Sequence, residues 1–294
     1  MFELFGIPPQ ALFGQLLLGL INGSFYALLS LGLAVIFGML NIINFAHGAQ
    51  YMMGAFVAYF LLNKWNLGYW WALVITPLVV GATGILIEKL MLKRLYKLDH
   101  LYGLLLTFGL ALIIEGIFRH QFGSSGQPYP IPQELAGGTN LGFMFLPNYR
   151  GWVIVASLAI CLATWFLIER TKLGAYLRAA TENPALVQAF GVNVPRMITL
   201  TYGFGVGLAA LAGVFAAPIY QVAPQMGSSL IIVVFAVVVI GGMGSIMGSI
   251  VTGFGLGVIE GLTKVFYPEA SNTVIFVIMA IVLMIRPQGL FGQR

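Results

Sequence analysis

Residues Leu173–Arg196 read LGAYLRAATENPALVQAFGVNVPR, and they are polar in a chain that is otherwise strongly apolar. Arg178, Thr181, Glu182, Asn183, Gln188, Asn193 and Arg196 all fall inside this stretch, and long apolar runs flank it on both sides. That contrast sets the fold class: apolar membrane spans joined by a water-facing connection. The punctuation within it is that of a short helix. Asn183 suits an N-cap, and Pro184 suits the first helical position, where a missing N–H costs nothing. Gly191 can adopt the left-handed backbone that ends a helix. A helix over Pro184–Phe190 would place Leu186, Val187 and Phe190 on one face. Such an element is either a connector resting on the membrane surface or a knob that docks into a soluble partner. The residue pattern alone favours the connector.

Working outward, the composition supports the same class. Only 8% of residues are charged and 60% are hydrophobic, against about 25% charged in soluble domains. A bilayer span needs ~20 apolar residues, and the chain holds many such runs. The runs are continuous rather than alternating, which excludes a β-barrel. The expected fold is therefore an all-α polytopic membrane protein of about 8–10 transmembrane or discontinuous helices. It forms a single domain over residues 1–294. The N-terminal MFELFGIPPQ lacks the positive region of a cleavable signal peptide, so the first span is expected to stay.

The first apolar run, Ala11–Leu40, is longer than one span requires, and Asn22-Gly23-Ser24 is its expected weak point. Asn41–Gln50, NIINFAHGAQ, interrupts the pattern before Tyr51–Leu62. Arg119–Arg150 is a long external connection. Gly241–Ser249, GGMGSIMGS, divides two apolar runs, and Gly241, Gly242, Gly244 and Gly248 mark a helix break. Broken helices at membrane depth survive only when buried in protein or lining a cavity.

Basic residues set the orientation. Lys89, Lys93, Arg94, Lys97, Arg170, Lys172, Arg178, Arg196, Arg286 and Arg294 fall on one side. Lys64, Arg119, Arg150 and Lys264 fall on the other. The richer side is assigned to the cytoplasm, with the loop at 170–196 and the C-terminus. This placement accounts for the pI of about 9.4 without invoking nucleic acid.

Chemistry-bearing motifs are few. GGMGSIMGS lacks the lysine of a phosphate-binding loop, so no nucleotide site is expected in this chain. The one cysteine, Cys161, lies in an apolar span and supports neither a disulfide nor a metal framework. Asn41, Asn44 and His47 recur at a spacing of three, and Gln50 extends the set. Asn22 and Ser24 add polar groups to the first run. These residues either line a translocation path or supply interhelical hydrogen bonds. His47 has no neighbouring ligand, so no metal site is expected. Glu115 and Glu260 lie in spans, but each has a cation four residues on (Arg119, Lys264). Local ion pairs are expected there, not a proton relay. Nothing resembles a nucleophile–base set, which argues against an enzyme or a membrane scaffold.

NIINFAHGAQYMMGAF, LGAYLRAATENPALVQAFGVNVP, VVVIGGMGSIMGSIVTG and the ending RPQGLFG together resemble permease subunits of ABC uptake systems for branched-chain amino acids. The resemblance runs from about Asn22 to Gly292. It implies the ABC importer permease fold and a heterodimer with a homologous second permease in the membrane lipid. It also implies two cytoplasmic ATPases that hold ATP and Mg, with no cofactor on this chain, and an extracytoplasmic binding protein. The setting it implies is the bacterial inner membrane. It turns the polar knob into a coupling helix seated on an ATPase, carried by Arg178, Glu182, Asn183, Pro184, Leu186, Val187, Phe190 and Gly191. Arg178 and Glu182 are spaced to brace its preceding turn. Family members also carry urea, short amides and aromatic acids. Alternating access between the two permeases is the implied mechanism. The rival from another class is a secondary transporter or channel needing no ATPase.

Overall fold

The structure is a computed structural model that describes residues 8–40, 43–96, 98–142 and 144–292. Asn41, Lys97 and Arg294 lie outside the described residues.

The chain is helical almost throughout. In order come α1 (Pro9–Leu40), α2 (Ala46–Trp65), α3 (Tyr69–Leu90), α4 (His100–Phe122), α5 (Asn148–Glu169), α6 (Lys172–Glu182), α7 (Pro184–Ala189), α8 (Val194–Tyr220), α9 (Ser228–Gly241), α10 (Ile246–Phe266) and α11 (Val274–Ile285). Among the described residues, seven helical stretches are long and apolar enough to cross a membrane. α2 adds a helix of 20 residues, and α11 adds a short apolar helix of 12. At about 1.5 Å per residue α11 reaches only ~18 Å, well short of the ~30 Å hydrocarbon layer. The external connection carries a small antiparallel pair, β1 (Gly138–Asn140) with β2 (Phe145–Pro147). Gln127 also bridges to Val222 beyond α8.

α1 and α8 form the centre. From Ile21 to Ile36 every α1 residue is buried except Asn22. α1 lies against α10, α8, α5 and α9, while α8 packs on α1, α2 and α3. α4 is peripheral and presents Leu105, Leu112 and Ile117 outward, as a lipid-facing helix should.

α1 runs unbroken through Asn22-Gly23-Ser24, where a weak point was expected. Three interactions hold it, two of them with distant helices. Ser24 Oγ donates to the Leu20 carbonyl at 2.9 Å, inside the helix. Asn22 is engaged by side chains from two other helices. Gly19 and Gly23 press against the α10 backbone, where a Cβ on Gly257 would collide with both. Small residues on both helices allow this approach. The excess length is kept as one helix of 32 residues.

The expected break is present after Gly241, but Gly248 is not part of it and lies in the first turn of α10, where its lack of a side chain admits the Gly241 carbonyl. α9 ends at Gly241, and Gly242 and Gly244 turn the chain at φ +101° and +84°, values that glycine adopts without strain. Ser245 then caps α10, its Oγ accepting from the Gly248 N–H at 3.1 Å. The C-terminal segment closes the break. Leu290 N–H donates to the Ile240 carbonyl at 2.8 Å, and Phe291 N–H to Gly241 at 3.1 Å. These bonds satisfy carbonyls that a helix end leaves open.

Candidate functional site

The polar stretch folds into two short helices at one end of the bundle. Gly174 lets α6 turn back tightly on α5, because a Cβ there would strike the Ile168 carbonyl. Arg178 does not brace Glu182. It reaches back to α5, donating to the Ile168 carbonyl at 3.1 Å and pairing with Glu169 at 3.3 Å. The C-terminal carbonyls of α5 attract the guanidinium more strongly than an exposed partner on α6 does.

α7 is capped at both ends. Asn183 Oδ1 accepts from Leu186 N–H at 3.0 Å, with Pro184 in the first turn. Gly191 follows at φ +85°. Asn193 then caps α8, accepting from Arg196 N–H at 3.1 Å. The helix closes at Ala189, with Phe190 as its C-cap. The three apolar residues do not share one fate. Val187 is 7% exposed and packs with Ala180 and Val194. Leu186 is 53% exposed and Phe190 79%. One residue thus anchors the knob and two face outward. Glu182 is exposed.

A second polar centre lies deep in the bundle. Asn44, His47 and Gln50 are fully or almost fully buried. Asn44 Nδ2 donates to Gln50 Oε1 at 3.1 Å. His47 Nε2 sits 3.0 Å from the Leu29 carbonyl; a carbonyl only accepts, so Nε2 carries the proton. Tyr202 of α8 turns its hydroxyl toward Asn44 and Gln50, beyond normal hydrogen-bond geometry. Asn44 Oδ1, Gln50 Nε2, His47 Nδ1 and the Tyr202 hydroxyl are all buried with no bonded partner among the described residues. Each such group ordinarily costs about 1–3 kcal/mol. Four of them, on α2, the turn just before it and α8, are an expensive concentration.

A third centre joins α1, α8 and α10. Tyr220 OH donates to Asn22 Oδ1 at 2.8 Å, and Asn22 Nδ2 donates to Glu260 Oε1 at 3.2 Å. Tyr26 OH donates to Glu260 Oε2 at 2.6 Å, and Lys264 Nζ to Oε1 at 2.5 Å. The expected Glu260–Lys264 and Glu115–Arg119 pairs both form. Asn22 therefore lies apart from Asn44 and His47. Seven residues of α1 separate it from Leu29, or about 10 Å along the helix. Ser24 faces the protein interior, fully buried.

One buried carboxylate escaped the sequence reading. Glu88 of α3 is 1% exposed. Tyr96 OH donates to it at 2.5 Å and Thr199 Oγ1, in the first turns of α8, at 2.7 Å. Burial, then the hydrogen bond and charge of Glu88, push the Tyr96 phenol above its usual range. Among the described residues no group of His, Cys, Asp and Glu could hold a metal ion.

The chain has relatives of known name. It is 27% identical to the high-affinity branched-chain amino acid transport system permease protein LivH of Salmonella typhimurium, over 95% of each chain. It is 29% identical to the corresponding permease protein BraD of Pseudomonas aeruginosa, again over 95% of each. LivM of Escherichia coli is 28% identical over 90% of this chain and 67% of its own. No solved structure matches. A family model described as the permease component of the branched-chain amino acid transport system matches residues 15–283, and this multi-pass membrane chain belongs to that family.

Proposed function

We propose that the chain is the permease subunit of an ATP-driven, binding-protein-dependent importer, with branched-chain amino acids as its cargo. The observation that carries the machinery is α7. It is a stiff helix with a fixed cap at each end, anchored through Val187, with Leu186 and Phe190 exposed. A connector resting on lipid does not need two caps and a buried anchor. A helix that transmits force to a partner does. Two cytoplasmic ATPases would receive it and carry the ATP and Mg. The loop at 170–196 and the C-terminus would then face the cytoplasm of a bacterial inner membrane. Both LivH- and LivM-named relatives match, which supports a homologous second permease as partner.

The unsatisfied groups on Asn44, Gln50, His47 and Tyr202 support a path in the bundle interior. Uncharged polar groups suit brief contact with a passing solute rather than tight retention. The Asn22–Glu260 centre would lie about 10 Å further along α1, toward the external binding protein.

Copurification with neighbouring gene products, followed by ATPase assays with candidate receptors, tests this reading. ATP turnover stimulated by a leucine-loaded receptor is the expected result. Stimulation only by a urea, amide or aromatic-acid receptor would keep the machine and change the cargo. Absence of any ATPase from the complex would return the chain to the secondary-transporter class.

A further inference from the structure

A pocket of about 320 Å³ opens beside the coupling segment, where the end of α1, the α5–α6 corner, the α9–α10 turn and the C-terminal segment meet. That volume is at the small end of the ~300–1,000 Å³ range for ligand sites. It suits a molecule of amino-acid size.

The lining has three chemical parts. Arg178 offers a guanidinium fork, and Glu169 offers a carboxylate. Val35, Phe37, Leu177 and Phe291 form an apolar wall. The two charges lie 3.3 Å apart and both side chains are about half exposed. An ion pair of that kind contributes little to stability, so a ligand can separate its members at small cost.

We propose that this pocket binds a small apolar zwitterion of the α-amino acid class. The ligand carboxylate lies on Arg178 and its ammonium on Glu169, with the side chain against the apolar wall. Other ligand classes fit less well. A polyphosphate would meet one cation and a repelling carboxylate. A divalent metal would find a single carboxylate. A plain amine or a plain acid would leave one member of the pair unmatched. Occupancy also has a consequence for movement. Arg178, Leu177 and Thr181 belong to α6, which leads directly into α7, while the rest of the lining belongs to α1, α5, α8, the α9–α10 turn and the C-terminal segment. A bound zwitterion ties these parts together and opposes displacement of α7. Imported solute accumulating on the cytoplasmic side would thereby slow further import. This regulatory half rests on the transport reading above; the binding half does not.

The test uses the assembled transporter in lipid nanodiscs and measures radiolabelled leucine binding against two competitors. Leucinamide lacks the carboxylate and 4-methylpentanoate lacks the ammonium. Each should compete at least about tenfold more weakly than leucine, as loss of one charged hydrogen bond requires. Glu169→Gln should weaken leucine binding by a similar factor. Equal competition by the singly charged analogues, or unchanged binding by Glu169→Gln, overturns the site. In proteoliposomes, leucine on the α6 side should slow receptor-driven uptake in the wild type. It should not do so in Glu169→Gln, whose rate with that leucine is compared with its own rate without it. Binding without such slowing overturns the regulation alone. Zwitterion binding in a complex that imports no leucine overturns the cargo assignment and leaves the pocket standing.

Discussion

Asn22 and Glu260 stand 238 residues apart in sequence and are joined by a hydrogen bond of 3.2 Å. The bond ties α1 to α10 beside the tight glycine contacts of the same two helices. Glu260 takes two further donors, Tyr26 and Lys264, so its charge is distributed over three partners. Removing it strands all of them. Glu260→Ala should lower stability by about 3 kcal/mol, the usual result of breaking a largely buried pair. Glu260→Gln, which keeps the shape and one acceptor oxygen, should lose less. Thermal unfolding in detergent measures both. Equal losses would mean that charge, not shape, holds the contact.

Phe190 and Val187 are three positions apart and should respond in opposite ways to the same substitution. Phe190→Asp places a charge on an exposed residue, so the chain should insert and fold with stability within about 0.5 kcal/mol of wild type. If α7 is the coupling helix, uptake should be lost while ATP turnover becomes independent of the receptor. Val187→Asp buries an unpaired charge among Ala180 and Val194. It should unfold the knob itself, detected as protease cleavage between α6 and α8. Undiminished uptake in Phe190→Asp would place the partner contact elsewhere.

Gly257 and Gly255 lie two residues apart on α10 and face different surroundings. A Cβ at Gly257 meets the backbone of Gly19 and Gly23, whereas one at Gly255 meets nothing within 4 Å. Gly257→Val should force α1 and α10 apart and destabilise by at least about 3 kcal/mol, as overpacking a tight interface does. Gly255→Ala should be neutral or stabilise by up to about 1 kcal/mol through helix propensity. Monodispersity on size-exclusion chromatography separates the two outcomes. The spans, the helix break at Gly241–Gly244 and the cap Asn183 could be read from the chain because each depends on residues nearby in sequence. The unbroken course of α1 could not. It depends on α10, more than two hundred residues away. Glu88 was hidden for the same reason: its hydroxyl partners Tyr96 and Thr199 come from a loop and another helix. The direction of Arg178 was missed because the i,i+4 rule weighs only partners on the same helix.

Asn44 and His47 carry the proposed path, and the chain offers a convenient background for testing them. Its one cysteine, Cys161, is fully buried, so the wild type should react slowly with a polar thiol reagent. Both Asn44 and His47 are also sealed within the bundle in the present conformation. Asn44→Cys and His47→Cys should therefore be unreactive in one nucleotide state of the assembled transporter and labelled in another, since alternating access must wet the path at some stage. The contrast should exceed about tenfold in rate, corresponding to an opening equilibrium shifted by roughly 1.4 kcal/mol. Protection in every state would reassign the cluster to interhelical bonding. Labelling that is equal in all states would describe a standing channel, which requires no ATPase.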